Sequence, residues 1–200
     1  MKRLVVTNDC LDVNTLAQHM IEMDPYVDFF IIRERSKTVR EQIRLLEHVI
    51  AAGVQREKLV VNDRVDVAVV MDIPKVQLPG HGLDVQEVKN NFPHLQIGKS
   101  IHSEQEAFEA SHSAADWLLY GHVFPTNCKP GVPARGVQTL KAITDQVPID
   151  VYAIGGIKPE HLQTLAKLGI KGFAVMSTIF EAHEPARMAE QYYHACQALN

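Results

Sequence analysis

Residues 151–177 read VYAIGGIKPEHLQTLAKLGIKGFAVMS, and this stretch decides the fold class. A short apolar run around Ala153 comes first, and a helix-like segment at residues 159–168 follows it. A second apolar run then surrounds Val175. Pro159, at the start of the middle segment, suits the first turn of a helix. A strand, a helix and a second strand in this order predict one βαβ unit of a parallel sheet.

The same alternation extends over the whole chain. Eight apolar runs have strand length: LVVT near Leu4, VDFFIIRE near Phe29, KLVVN near Val60, KVQLP near Val76, LQIGKSI near Ile97, DWLLYGHV near Leu118, VYAIGG near Ala153 and GFAVMS near Val175. Helix-like segments lie between them at residues 37–52, 64–71, 84–92, 103–112, 137–146, 159–168 and 185–199. Eight βα units close into a barrel more readily than they form an open sheet. The sequence therefore predicts an α/β protein with a single (β/α)8 TIM barrel over residues 1–200, and a doubly wound sheet is the alternative.

Apolar spacing also predicts which helix faces are buried. Residues three and four positions apart share one face of a helix. The expected inward positions are Val39, Ile43, Leu46 and Ile50 in segment 37–52, and Val65, Ala68 and Val69 in segment 64–71.

Composition and charge limit the classes of function. The chain has 200 residues, of which 46% are hydrophobic and 22% are charged, and these are ordinary values for one globular domain. Its net charge of -4 gives no basic face for nucleic acid. No apolar run approaches a membrane span, and the first is too short for a signal peptide. Three cysteines without metal-type spacing suit a reducing compartment, so a cytoplasmic location is expected.

Polar residues follow the apolar runs, and in a barrel these positions meet at one end. They are Arg33, Glu34 and Arg35 after the second run, Asn62 and Asp63 after the third, Gln77 after the fourth, Ser100 and His102 after the fifth, and His122 with Lys129 after the sixth. The long stretch 124–136, rich in Pro and Gly, is where an active-site loop is expected.

The last two runs end in residues that suit a phosphate. Gly155 and Gly156 follow the seventh run, and Met176 and Ser177 end the eighth. Glycines let backbone N–H groups approach an anion, and the loops after strands seven and eight of such barrels often bind phosphate. A tight turn that needs positive φ is the alternative interpretation of the glycine pair.

Six blocks of the sequence match, in order, those of the thiamin phosphate synthase superfamily. They are IRER at 32–35, VNDRVDVA at 61–68, GKSIHS at 98–103, GHVFPTNCK at 121–129, AIGGI at 153–157 and AVMSTI at 174–179. The chain therefore resembles this superfamily over about residues 29–180. The resemblance implies a (β/α)8 barrel that binds a thiazole phosphate.

The departures from the superfamily pattern concern its metal and its pyrimidine diphosphate. In the synthase resemblance two carboxylates hold Mg²⁺, and Asp63 matches the first while Gly82 stands at the second. The glutamine and lysine of the second block are replaced by Ile31 and Arg35. The residues on the thiazole side, including Ser100, are kept. No metal and no other cofactor is therefore expected.

His122 replaces the proline that follows the strand-six glycine in the synthase pattern. With the same metal pair absent, GHVF resembles the pattern of TenI-type thiazole tautomerases, as do RERSK at 33–37 and PHLQIG at 93–98. The implied activity converts 2-(2-carboxy-4-methylthiazol-5(2H)-ylidene)ethyl phosphate into aromatic 2-(2-carboxy-4-methylthiazol-5-yl)ethyl phosphate in thiamin biosynthesis.

The tautomerase resemblance implies that His122 is the acid–base catalyst and that the other residues bind substrate. The expected binding set is Arg33, Ser100, Lys129, Gly155, Gly156, Met176 and Ser177. The thiazole phosphate is the expected small-molecule partner, and the resemblance also implies a homodimer. A thiamin phosphate synthase and a non-catalytic regulatory or ligand-sensing barrel remain as alternatives.

Structural roles are the alternative for several of these residues. A histidine at a strand end is more often a satisfied structural residue than a base, and His102 is expected to be structural. Glu34 is expected to form an ion pair with Arg33, and Asp63, which follows Asn62, to cap the next helix. Cys128 is treated as a loop residue because no histidine adjoins it in sequence.

Overall fold

The computed structural model describes residues 1–128 and 130–199 and shows a closed barrel of parallel strands in chain order. The strands are β1 (Lys2–Val6), β2 (Phe29–Ile32), β3 (Leu59–Asn62), β4 (Lys75–Leu78), β5 (Gln96–Ile101), β6 (Trp117–Gly121), β7 (Asp150–Ile154) and β8 (Gly172–Val175). Each pairs with the next, and β8 pairs with β1, with Leu4 opposite Ala174. The predicted TIM barrel is confirmed, and all eight predicted strands are present.

Helices between and after the strands surround this barrel. Those described are α1 (Val13–Met23), α2 (Val39–Ala51), α3 (Val65–Val70), α4 (Val85–Asn91), α5 (Glu104–His112), α6 (Gly136–Gln146), α7 (Leu162–Ala166), α8 (Ser177–Phe180) and α9 (Pro185–Gln197). Every predicted helical segment overlaps one of them. The sequence prediction missed α1 and the short α8. None of the helices in the described ranges is long and apolar enough to cross a membrane.

Two apolar clusters hold the barrel together. The larger lies between strands and helices and includes Leu16, Leu46 and Phe173. The smaller fills the barrel interior and includes Leu4, Val60, Leu119, Tyr152 and Ala174. Because this inner cluster closes the barrel from within, the carboxyl ends of the strands form the wall of a cavity and not the mouth of a channel.

The buried face of α2 differs from the prediction. Its buried residues are Gln42, Leu45, Leu46 and Val49, whereas Val39 is exposed and Ile43 and Ile50 are only half-buried. The Gln42 amide donates to the carbonyls of Glu34 (2.9 Å) and Lys37 (3.2 Å), so a polar residue occupies the inner face. The prediction for α3 was correct for Val65 and Ala68 but wrong for Val69, whose place Val67 takes.

Side-chain caps fix several of the loops that surround the cavity. The Asp12 carboxylate caps α1 by accepting from the N–H groups of Asn14 and Thr15, and Thr38 forms a capping box with Glu41 at the start of α2. Ser103 caps α5 directly after β5. Such caps satisfy N–H groups that have no partner within the helix, and they set where each βα loop ends.

Candidate active site

A cavity of about 400 Å³ lies at the carboxyl ends of the strands. Seven of the eight predicted site residues line it together: Arg33, Ser100, His122, Gly155, Gly156, Met176 and Ser177. The eighth, Lys129, lies outside the described residues. Side chains that are far apart in sequence therefore share one cavity, as the barrel topology predicts.

His122 follows β6 directly, and its side chain is almost fully buried at 3% exposure. Its Nε2 lies 3.1 Å from the carbonyl oxygen of Val132. A carbonyl can only accept, so Nε2 carries the proton in the neutral ring and Nδ1 keeps a lone pair. Nδ1 is buried and has no hydrogen-bond partner among the described residues. His122 thus lines the cavity with one ring nitrogen held by a contact from the β6–α6 loop and the other without a partner among the described residues.

The glycine pair is required by packing as well as by backbone conformation. Gly155 and Gly156 have φ of 102° and 63°. A Cβ on Gly155 would lie 2.2 Å from the Cβ of His122, and one on Gly156 would lie 2.3 Å from the carbonyl oxygen of Pro125. The tight-turn interpretation is thus correct for both residues. Their lack of side chains also leaves backbone exposed to the cavity beside His122.

Two arginines line the cavity without a carboxylate partner. Neither Arg33 nor Arg35 forms an ion pair with a carboxylate in residues 1–128 or 130–199. Burial, followed by the nearby positive charge of Arg35, lowers the pKa of the Arg33 guanidinium. The backbone N–H of Arg33 donates to the hydroxyl of buried Thr7 at 2.8 Å, which fixes its position after β2. Two neighbouring cations on one cavity wall create an attractive place for an anion.

Glu34 does not pair with Arg33, contrary to the sequence prediction. Its buried carboxylate accepts from Lys37 and from the backbone N–H of Asp9, at 3.1 Å for the latter. The side chain of Glu34 thereby ties the β2–α2 loop to the β1–α1 loop. This interaction leaves the Arg33 guanidinium for the cavity.

Ser100 belongs to a hydrogen-bond chain across the barrel interior. The Nε2 of Gln77 lies 3.0 Å from the Ser100 hydroxyl, and the indole Nε1 of Trp117 lies 2.9 Å from Gln77 Oε1. Sequence reasoning placed Gln77 at a strand end but gave it no role, and it missed Trp117. The strand register was the missing information, because Gln77, Gly98 and Trp117 lie opposite one another on β4, β5 and β6.

Asp63 does not cap α3, because Arg64 occupies the N-cap position and makes no side-chain cap. Asp63 instead faces Gly82, where a Cβ would lie 2.8 Å from its Oδ1. The two positions that carry carboxylates in the synthase resemblance are thus neighbours in space, and only one has a carboxylate. No three His, Cys, Asp or Glu side chains in the described ranges could hold a metal ion together. These residues do not fit a two-carboxylate Mg²⁺ site.

His102 and Cys128 also line the cavity. The Nδ1 of His102 lies 3.3 Å from a Glu106 carboxylate oxygen, and its carbonyl accepts from Arg135 at 2.8 Å. His102 therefore joins α5 to the β6–α6 loop, as a structural role predicts. The exposed thiol of Cys128 lines the same cavity as Arg33.

The fold and the cavity define a class: TIM-barrel proteins whose ligand site is built from the βα loops at the carboxyl ends of the strands. Within that class, a family model described as thiamine monophosphate synthase (TMP-TENI) matches residues 4–179. The chain belongs to the TMP-TENI family.

Individual relatives agree with this assignment. The chain is 38% identical over 131 residues to the thiamine-phosphate synthase of Pyrococcus furiosus, which covers 66% of this chain and 63% of that relative. It is 30% identical over 203 residues to the thiamine-phosphate synthase of Lacticaseibacillus paracasei, which covers 100% of this chain and 92% of the relative. The match thus spans less than two thirds of the archaeal relative and nearly all of the bacterial one.

A solved structure supports the same fold. Thiamine phosphate pyrophosphorylase from Pyrococcus furiosus has a TM-score of 0.83 and 29% identity to this chain, covering 99% of it and 96% of the solved chain. A 3-hexulose-6-phosphate synthase has a TM-score of 0.76 at 18% identity, which shows a shared fold alone.

Proposed function

We propose that the chain is an enzyme of thiamin biosynthesis that acts as a thiazole tautomerase, aromatising the carboxylated dihydrothiazole phosphate. The observation that carries the proposal is His122, which stands where the synthase resemblance has a proline. Its ring is buried in the cavity wall, and Nδ1 has no partner among the described residues. A proline cannot transfer a proton, whereas a neutral imidazole can.

The reaction moves one proton from the ring to the exocyclic carbon. Nδ1 of His122 takes the proton from C2, the ring carbon that bears the carboxylate. The C2–H electron pair becomes the C2=N3 bond, the N3=C4 pair moves to C4=C5, and the exocyclic C5=C double bond breaks as its electron pair takes a proton from the imidazolium onto the exocyclic carbon. The ring becomes aromatic, and His122 returns to its neutral form. A positioned acid–base group of this kind contributes about 10²–10⁴-fold to the rate.

The cavity offers groups for the phosphate of this substrate. Gly155, Gly156 and Ser177 line it at the ends of β7 and β8, and Arg33 adds a partly desolvated cation. We assign the phosphate to the backbone of the glycine pair and Ser177, with Arg33 nearby. Lys129, which the resemblance adds to this set, lies outside the described residues. Met176 lines the same end of the cavity and would contact the ligand next to the phosphate.

A thiamin phosphate synthase is the second candidate, and the names of the curated relatives favour it. That reaction joins a thiazole phosphate to a pyrimidine diphosphate, whose charge Mg²⁺ neutralises in the synthase resemblance. Asp63 would have to hold that metal opposite Gly82, without a second carboxylate. Because this place has one carboxylate where the synthase resemblance has two, we favour the tautomerase over the synthase.

One experiment separates the candidates. Purified protein is given the dihydrothiazole phosphate in one assay, and thiazole phosphate with the pyrimidine diphosphate and Mg²⁺ in another. The tautomerase account expects acceleration over buffer in the first assay, loss of that acceleration in His122→Gly, and no thiamin phosphate in the second. Metal-dependent formation of thiamin phosphate would establish the synthase. Binding without turnover in either assay would indicate a non-catalytic ligand-sensing barrel.

A further inference from the structure

A chain of hydrogen bonds enters the cavity from the barrel interior. The indole N–H of Trp117 donates to Gln77 Oε1, and Gln77 Nε2 donates to the Ser100 hydroxyl. An indole nitrogen can only donate, so the amide oxygen of Gln77 must face Trp117 and its amino group must face Ser100. The indole N–H of Trp117 therefore fixes the orientation of the Gln77 amide. Gln77 is 1% exposed, so water does not compete for either bond.

This order of donors determines what Ser100 can do. Because its oxygen accepts from Gln77, its own proton is free to point elsewhere. The Ser100 hydroxyl donates to no residue in the described part of the chain, and it lines the cavity. Ser100 is thus held as a hydrogen-bond donor toward whatever occupies the cavity.

This chain of hydrogen bonds depends on a glycine in the middle of β5. A Cβ on Gly98 would lie 2.1 Å from the Trp117 indole nitrogen and 2.4 Å from Gln77 Oε1. A glycine inside a strand often marks such a close approach. Gly98 therefore provides the gap through which Trp117 on β6 reaches Gln77 on β4.

We propose that Trp117 and Gln77 are positioning residues that hold Ser100 as a donor to the ligand's carboxylate, and that this contact selects carboxylated thiazole phosphates. The inference rests on the proposed function for the identity of the ligand. The phosphate is assigned to the ends of β7 and β8, whereas Ser100 lies on β5, further around the barrel wall. The ring of the substrate carries its carboxylate and its ethyl phosphate on opposite sides. Ser100 therefore meets the carboxylate end.

A donor at this place serves both selection and chemistry. Hydrogen bonds to a carboxylate are stronger than neutral ones. The carboxylate is attached to the carbon that loses its proton, so negative charge that spreads onto it during proton removal strengthens the contact. A thiazole phosphate without the carboxylate has no acceptor there and gains nothing from Ser100.

The test compares two ligands that differ only in the carboxylate: the carboxythiazole phosphate product and its decarboxylated analogue. Calorimetric titration of Ser100→Ala and Gln77→Met should show about 10-fold weaker binding of the carboxylated ligand, as expected for one lost hydrogen bond to a charged group. Binding of the decarboxylated ligand should change less than about 2-fold, which is within the spread expected for a contact that is not made. Ser177→Ala, at the phosphate end, is the matched control and should weaken both ligands equally.

Two further measurements test whether the hydrogen bonds from Trp117 through Gln77 to Ser100 cause this selective loss of binding. In the double variant, Gln77→Met should add nothing to Ser100→Ala, because both remove the same contact. Trp117 is the one tryptophan of the chain, so its indole N–H gives a single NMR signal. The carboxylated ligand should shift that signal in wild-type protein and in Ser177→Ala, but not in Gln77→Met.

Equal loss of both ligands in Ser100→Ala would overturn the proposal, and so would losses that multiply in the double variant. These binding experiments require no turnover. If the selective loss is found but the protein does not accelerate tautomerisation, the contact stands and the proposed reaction falls. If wild-type protein binds neither ligand, both are wrong. Ser100 is only half-buried, so Ser100→Ala decides the matter even if Gln77→Met fails to fold.

Discussion

Gly155 provides a quantitative test of how closely the glycine pair packs against His122. Gly155 and Gly53 have almost the same backbone φ, 102° and 104°. A Cβ on Gly53 would meet no atom within 4 Å, whereas one on Gly155 would lie 2.2 Å from His122 Cβ and 2.6 Å from its Cα. An alanine at either position therefore pays the free-energy cost of a positive φ. Only the alanine at position 155 also overlaps with His122.

The magnitudes follow from these two contributions. An alanine at such a φ costs about 1–3 kcal/mol. The overlap with His122 involves backbone and cannot be relieved by a side-chain rotation, so it adds about 1–3 kcal/mol, as overpacking does. Gly53→Ala should lower the free energy of unfolding by the cost of the positive φ alone. Gly155→Ala should lower it by that cost and by the cost of the overlap with His122.

Urea unfolding of both variants measures this difference directly. Gly155→Ala should also lose tautomerase activity at temperatures where it is folded, because His122 must move to admit the methyl group, whereas Gly53→Ala should keep it. Equal destabilisation of the two variants would refute the close packing of Gly155 against His122.

Three further predictions concern anion binding, metal and pH. Arg33→Ala should raise KM for the phosphate ester by about 10-fold or more with a smaller effect on kcat, since the guanidinium serves binding and not proton transfer; equal effects on thiazole alcohol, which lacks the phosphate, would contradict this. Chelation of divalent metal should leave the tautomerisation rate unchanged in a stopped assay, and a loss that Mg²⁺ restores would contradict the account. Burial raises the pKa of Tyr152 and of Tyr192 to about 12 from a usual value of 10.0, so the folded state holds these protons more tightly than the unfolded state. The stability that this burial contributes is therefore complete below about pH 10 and is lost as the pH rises toward about 12, which unfolding curves and tyrosinate absorbance would show together; ionisation of Tyr152 and Tyr192 near pH 10 in folded protein would be evidence against their burial.

The strands were predictable because buried parallel strands are short apolar runs bounded by polar or turn residues. The apolar run at residues 67–70 lies in α3, so an apolar run alone does not identify a strand. The first helix could have been found, since Leu16, Ala17, Met20 and Met23 recur at helical spacing after a capping Asp12. The buried face of α2 could not have been predicted in the same way. Gln42 is buried because it forms hydrogen bonds to loop carbonyls, and apolar spacing does not reveal such bonds.

Much of the cavity followed from the order of strand-end residues, because parallel strands bring these ends together. The sequence did not show which contacts hold the cavity residues in place. The Val132 carbonyl that sets the tautomer of His122 comes from a loop of irregular backbone. The chain from Trp117 to Ser100 depends on strand register across Gly98, which the sequence does not state.

The central claim is that His122 moves the proton, and the stereochemistry of proton delivery tests it most directly. Turnover of the dihydrothiazole phosphate in deuterated solvent, with the product analysed by NMR in the presence of a chiral shift reagent that distinguishes the two methylene hydrogens, shows where label enters the new methylene group. The imidazolium carries label once the proton that it took from C2 has exchanged with solvent. A fixed imidazole delivers from one side, so the label that wild-type protein introduces should enter one of the two positions, whereas the spontaneous reaction, and the remaining reaction in His122→Gly, should label both. Equal labelling of both positions during rapid turnover by wild-type protein, or selective labelling by an unimpaired His122→Gly, would contradict the account.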